Sequence, residues 1–207
     1  MSRPGLLLVL DGPSAVGRTT TLRALADVWP DRRDGTLLVA GLDAAHAALG
    51  PGPAARMASV LDGVAHGPAG GTPRLRRGPL SRALVDGMHR AAAGWAAAGF
   101  DVGMDHLLTD PAVAADLRTA AAGLPLLVVR LTCDPVVLED REERLGRQRG
   151  RAAAEAAALE AAERAGAAPP DAVLDTTAAT TAELVAELLD LVARAGRRDG
   201  GPGLTRR

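Results

Sequence analysis

The sequence predicts an α/β fold: a three-layer sandwich of a five-stranded parallel sheet with helices on both faces and an arginine-rich lid. Three observations predict it. Five short apolar runs, "GLLLVLD", "TLLVAGLD", "FDVGMD", "LPLLVVRLTC" and "DAVLDTT", read as strands buried on both faces. Stretches of helical spacing separate them, which parallel pairing requires. The chain has 207 residues, 47% of them apolar, enough for one sizeable core. Residues 1–195 are therefore expected to form a single domain, with a lid at about 141–165 and a disordered tail at 196–207.

Taken in order, "GLLLVLD" (5–11) is the first strand and ends at a glycine-rich turn. "TTTLRALADVW" follows as a helix, with Leu22, Leu25, Ala26 and Trp29 at helical spacing and Pro30 as its stop. "TLLVAGLD" (36–43) is a second strand with Asp43 at its C-terminal end. Residues 50–79 are rich in Gly and Pro and read as a long irregular segment with at most one short helix near "AARMASVLDG". A helix over "LSRALVDGMHRAAAGWAAAG" closes at Gly99 and leads to the strand "FDVGMD", which ends in Asp105. "PAVAADLRTAAAG" is a helix with Pro111 in its first turn, and "LPLLVVRLTC" is the most strand-like run. From "DPVVLEDREER" an amphipathic helix becomes arginine-dense at 141–151 and alanine-rich beyond. The short strand "DAVLDTT" and a last helix with Leu184, Leu188 and Leu191 on one face complete the pattern. Leu, Val and Ala must fill the core, with Trp29, Trp95 and Phe100 as its aromatic candidates.

Composition narrows the function. Basic and acidic residues number 24 and 25 without a long block of either sign, which argues against a nucleic-acid partner. The run "GLLLVL" is too short to span a membrane and lacks a small-residue cleavage site, so a cytoplasmic protein with no membrane partner is expected. The single cysteine, Cys133, ends an apolar run and reads as a buried structural thiol. His46, His66, His89 and His106 lack metal-ligand spacing.

The chemistry is concentrated in "VLDGPSAVGRTT" (9–20), which has the outline G-x-x-x-x-G-K-[ST] with Arg18 where the pattern asks for lysine. In such a loop the backbone N–H groups of Gly12, Pro13–Ser14–Ala15–Val16, Gly17, Arg18 and Thr19, with Thr20 beyond, wrap a phosphate at the start of a helix (Pro13 itself lacking an N–H). Thr19 would place its hydroxyl on Mg²⁺, and Arg18 would offset β/γ-phosphate charge. Arg for Lys is not a conservative exchange at a fitted phosphate site. The chain contains no Lys, Asn, Ile or Tyr, however, the pattern of a GC-biased genome that turns Lys to Arg throughout, so the exchange does not by itself report lost function. GTPases read guanine with N-K-x-D, impossible without Asn and Lys, and a small-molecule kinase fits the length best.

Such a kinase needs a base for the acceptor hydroxyl, and a carboxylate at the end of the strand beside the loop strand is well placed. Asp43 is the candidate; a helix N-cap is its alternative role. Asp105, at another strand end, would hold Mg²⁺ through water, contact the acceptor, or cap a loop. His106 lines the acceptor pocket or lies in a surface loop. The run "DREERLGRQRGR" places Arg141, Arg144, Arg147, Arg149 and Arg151 between two helical segments, a mobile lid able to compensate transition-state charge. Pairing with Glu139, Glu142 and Glu143 accounts for part of it. Arg141 and Arg149 are the two expected to touch phosphate.

Together, "GPSAVGRT", "GLD" (41–43), "GPLSRAL" (78–84), "VGMD", "REERLGRQRGR" and "VLDTT" resemble the chloramphenicol phosphotransferase-like family of P-loop kinases, over residues 5–195. The resemblance implies a P-loop kinase-like fold and ATP-dependent phosphorylation of a hydroxyl on an antibiotic or similar natural product. It implies Asp43 as base, Arg82 at the acceptor, and Asp175, Thr176 and Thr177 near the nucleotide base. Three departures stand out: Arg18, the blurred "LGRQRGR" lid, and "MDHL", which suggests an acceptor other than chloramphenicol. ATP and Mg²⁺ are the expected cofactors and a small hydroxyl-bearing molecule the expected partner; a homo-oligomer is left open. A catalytically silent nucleotide-binding module and a nucleoside or metabolite kinase are the competing readings.

Overall fold

The structure is a computed structural model and describes residues 3–32, 35–47, 63–65, 74–76, 78–147 and 149–198. Five strands form one parallel sheet: β1 (Leu7–Asp11), β2 (Leu37–Gly41), β5 (Asp101–Asp105), β6 (Leu126–Thr132) and β7 (Ala172–Asp175). Their order is β2-β5-β1-β6-β7. The helices are α1 (Arg18–Arg32), α2 (Leu42–Ala47), α3 (Pro79–Ala97), α4 (Pro111–Ala120), α5 (Pro135–Arg144), α6 (Arg151–Arg164) and α7 (Thr181–Arg198).

Both faces of the sheet are covered, as the unbroken apolar runs require. Leu6, Leu8 and Leu10 point to a core shared with Leu22, Leu25 and Trp29 of α1 and Leu184, Val185 and Leu188 of α7. Leu7 and Val9 point the other way, to Val85, Met88 and Ala92 of α3 and Val113 and Leu117 of α4. Period-two alternation thus serves two cores, and β1 is buried at every position.

Several local expectations change. Helix α1 runs two residues past Pro30, whose missing N–H removes one bond near the C-terminus, where little helix remains to be broken. Strand β2 ends at Gly41, so Asp43 sits in the first turn of α2 rather than on a strand. The segment 50–79, read as irregular, includes an antiparallel pair, β3 (Gly63–Ala65) with β4 (Arg74–Arg76); most of the short helix expected near 54–63 lies outside the described residues. Trp29 is buried, but Trp95 and Phe100 are 43% and 48% exposed and do not join the core. Cys133 is half-buried against it. The last helix continues to Arg198, three residues into the expected tail. Among the described residues, no helix is long and apolar enough to cross a membrane.

Asp101 pins the edge of the core nearest the N-terminus. Its buried carboxylate accepts Leu6 N–H at 2.7 Å and Trp29 Nε1–H at 3.0 Å. Asp101→Ala leaves two buried donors without this acceptor, and the expected loss is about 2–4 kcal/mol, read from the urea midpoint at constant slope. An unchanged midpoint would mean that neither donor depends on it.

Candidate active site

The C-terminal ends of β1, β5 and β2 meet α1, α2 and α6 around a cleft of about 450 Å³. Its floor is the glycine loop. Gly12 has φ +146°, and a Cβ there would stand 2.5 Å from Leu131 O, so only glycine lets the chain leave β1 this tightly. Gly17, at φ +105°, turns the loop into α1. Just before the loop, the fully buried Asp11 accepts Leu108 N–H at 2.9 Å and Arg130 Nε and Nη2 at 3.0 and 2.7 Å. Arg130 also bonds Glu163, which ties α6 to the root of the loop.

Arg18 is built into the loop. Its Nη1 donates to Gly12 O and, at 2.6 Å, to His106 O, while Nε pairs with Asp105 Oδ1 at 2.9 Å. A guanidinium has five N–H donors. These three contacts leave the two on Nη2, which meet no acceptor among the described residues. Thr19 Oγ1 donates to the other oxygen of Asp105. One carboxylate therefore orients both side chains that the loop motif assigns to phosphate and metal.

Strand order corrects one expectation. The neighbour of β1 on this side is β5, and β2 lies one strand further out. The carboxylate beside the loop strand is thus Asp105, paired in register with Leu10, and Asp43 faces the loop from across the cleft. Asp43 is exposed, with no hydrogen bond or ion pair to a described residue, and does not cap α2 from outside but lies in its first turn. Gly41, paired with Asp105, closes the gap between these walls.

The arginine-dense run lies where one helix gives way to another: α5 and α6 are separated at 145–150, where Gly146 and Gly150 take φ +62° and +79°. Buried Glu142 accepts Gly150 N–H at 2.9 Å and Ala152 N–H at 2.6 Å, capping α6 from α5 instead of pairing with an arginine. This break brings Arg147 and Arg151 to the cleft. Arg141 and Arg149, the expected phosphate contacts, do not line it. Arg141 donates to Thr176 O at 2.7 Å and Thr176 Oγ1 at 3.1 Å, and exposed Arg149 lies 3.4 Å from Glu139. Arg82 is exposed on the first turn of α3 and does not line the cleft either.

Within the loop, Pro13, Ser14 and Val16 are buried, Ser14 at the cleft lining, and Ala15 takes φ +60°; Thr20 is exposed on α1. Asp175 ends β7, and Thr176 and Thr177 follow it directly. Bonds from the Thr177 hydroxyl and N–H hold the Asp175 carboxyl below its ordinary value. With Arg141 these residues make a second polar corner, apart from the cleft lining.

Sequence reasoning missed Glu155. On α6, its side chain fully buried, it reaches the loop and accepts Ser14 N–H at 2.6 Å, while Arg151 Nε holds its other oxygen at 2.8 Å. Its only trace in the sequence is the i, i+4 spacing to Arg151. Arg23, one turn beyond Thr19 on the cleft wall, was missed as well. A carboxylate oxygen of Glu155 thus already takes up one of the loop amides. With Gly12 forming the cradle and Thr19 beside Asp105, the residues present fit a nucleoside triphosphate with Mg²⁺, an ion that takes few protein oxygens alongside phosphate.

No curated protein matches the sequence significantly. The fold is similar to a gluconokinase from Sinorhizobium meliloti 1021, with TM-score 0.60 and 20% identity over 97% of this chain and 100% of the other. It is similar to the Mycobacterium tuberculosis APS kinase in complex with AMPPNP and APS, with TM-score 0.59 and 17% identity over 92% and 98%. The tunicamycin resistance protein of Deinococcus radiodurans gives 0.56 and 18% over 91% and 95%. The fold is that of the P-loop kinases. The family model for chloramphenicol phosphotransferase-like proteins matches residues 5–193, and the chain belongs to that family.

Proposed function

We propose that this protein is an ATP- and Mg²⁺-dependent kinase that phosphorylates a hydroxyl of a small natural product, an antibiotic first among the candidates. The observation that carries this is a cleft with Arg18, Thr19 and Asp105 on one wall and, on the other, Asp43, which pairs with none of the described residues. Loop amides, Nη2 of Arg18, the Thr19 hydroxyl and Asp105 would hold the triphosphate and metal; Arg147 and Arg151 stand over them. Bound ATP·Mg²⁺ would supply the γ-phosphoryl group. Asp43 would accept the acceptor's hydroxyl proton as the acceptor oxygen bonds to γ-phosphorus and the bond to the departing ADP breaks. Asp175, Thr176 and Thr177 with Arg141 would contact the nucleotide base. The cleft suits a small molecule, and similar structures include kinases of small acceptors and an antibiotic-resistance protein.

The test is purified protein with ATP, Mg²⁺ and a panel of hydroxylated antibiotics, sugars, sugar acids and nucleosides. Phosphate transfer to an antibiotic supports the reading; transfer only to a sugar acid or nucleoside moves it to a metabolite kinase. ATP binding without transfer to any acceptor favours the silent module, which the replacement of the loop lysine by Arg18 suggests. Arg18→Lys sharpens the choice. An ammonium cannot reproduce the three-point fork, so turnover is expected to fall about tenfold or more. A gain would mean that arginine is a defect.

Glu155 occupies loop space that phosphate needs. Glu155→Ala is expected to tighten Mg·ADP binding about tenfold, the worth of one charge-assisted bond that no longer competes. Calorimetry decides; weaker binding would mean that this carboxylate helps the nucleotide rather than excluding it.

A further inference from the structure

We propose that His89 and Asp116 are positioning residues for Arg18, acting through His106. Three side chains from three elements form one chain. His106, in the loop after β5, is 4% exposed, and His89, on α3, is fully buried. Their Nε2 atoms are 2.6 Å apart, with the ring planes tilted by 46°. His89 Nδ1 lies 2.6 Å from Oδ2 of Asp116 on α4, and Leu107 N lies 2.7 Å from His106 Nδ1.

For rings that each carry one proton, donor matching among these contacts leaves one pattern. A backbone N–H only donates, so His106 Nδ1 accepts from Leu107 and carries no proton. The His106 proton is therefore on Nε2 and is donated to His89 Nε2, which is bare. His89 in turn carries its proton on Nδ1 and donates it to the Asp116 carboxylate. Exchanging either tautomer sets two N–H groups, or two lone pairs, against each other in a buried site.

The chain ends at the cleft. His106 offers its carbonyl to Arg18 Nη1 at 2.6 Å, and its own N–H bonds Leu10 O at 3.0 Å. Asp116 thus orients His89, His89 orients His106, and the His106 peptide holds the guanidinium with Nη2 left for a ligand. With both ring nitrogens engaged, His106 serves the site through its carbonyl rather than as an acceptor-binding imidazole. This inference rests on the reading of Arg18 as a phosphate ligand.

The test uses the full chain. Asp116 is partly exposed, so its variants are better suited to folding than changes at buried His89. Long-range proton–nitrogen spectra of the wild type are expected to show protons on His106 Nε2 and His89 Nδ1; a proton on His106 Nδ1 overturns the proposal. Calorimetric titrations with Mg·ADP and with AMP then separate positioning from general damage. Asp116→Ala is expected to weaken ADP about threefold to tenfold, part of the worth of one charge-assisted bond. AMP, which lacks the β-phosphate, should bind unchanged, and Asp116→Asn, which keeps an acceptor, should restore ADP. Equal losses for ADP and AMP, or no loss in Asp116→Ala, overturn it. Wild-type protein that binds neither nucleotide refutes the kinase reading and the use made of Arg18, whereas the spectra separately decide whether the tautomer chain exists.

Discussion

Asp43→Ala is expected to lower kcat by about 10²-fold or more, the usual weight of general-base assistance, with Mg·ADP affinity nearly unchanged. The asymmetry follows from placement. Asp43 lines the cleft in the first turn of α2 and bonds no described residue, whereas the loop, Thr19 and Arg18 are organised without it. Register sets the distance scale: Gly41 pairs with Asp105, so Asp43 stands two residues beyond the point where β2 meets the cluster that would hold phosphate. Asp43→Asn separates the roles, because an amide can orient a hydroxyl but cannot take its proton. Single-turnover rates with a productive acceptor, beside calorimetry with ADP, decide it. Normal turnover in Asp43→Ala would remove this residue from the mechanism.

Asp105→Ala is expected to be as damaging in a different way, lowering kcat/KM about 10²- to 10³-fold and weakening nucleotide binding together with turnover. The carboxylate accepts from Thr19 and pairs with Arg18 Nε at 2.9 Å, so its loss releases both at once. Asp105→Asn keeps an acceptor for Thr19 but removes the charge that balances the guanidinium. Its saturation with Mg²⁺ should therefore move to higher concentration. The pair of experiments discriminates the walls of the cleft: an Asp43 variant that binds ADP normally and an Asp105 variant that does not. If Asp105→Ala left ADP affinity and Mg²⁺ dependence untouched, the cluster of Arg18, Thr19 and Asp105 would not be the phosphate and metal side.

The route from sequence to site was uneven for physical reasons. The strand, glycine turn and helix around Gly12 and Gly17 were legible because backbone conformation there is a local property, set by residues that tolerate positive φ. Of the starts of α4 and α5 only Pro111 was read from the sequence; the structure adds Asp110 and Asp134, whose side chains accept helix N–H groups ahead of Pro111 and Pro135. The choice between Asp43 and Asp105 as the neighbour of the loop strand was not legible, since β5 inserts between β2 and β1 and no spacing along the chain records this. Which arginines line the cleft depended on where a helix breaks. An arginine-rich stretch carries the charge, but the capping of α6 by buried Glu142 selects Arg147 and Arg151 over Arg141 and Arg149.

By itself the sequence determined the alternation of buried strands and helices, the phosphate-type loop and the family, because hydrophobic period, turn chemistry and motif order are written in consecutive residues. Only the tertiary structure decided which side chains share the cleft. Glu155 meets Ser14 across 141 positions of chain, and Arg18 meets the His106 carbonyl across 88. Contacts of that separation are products of sheet order and helix packing, and a local pattern holds no trace of them.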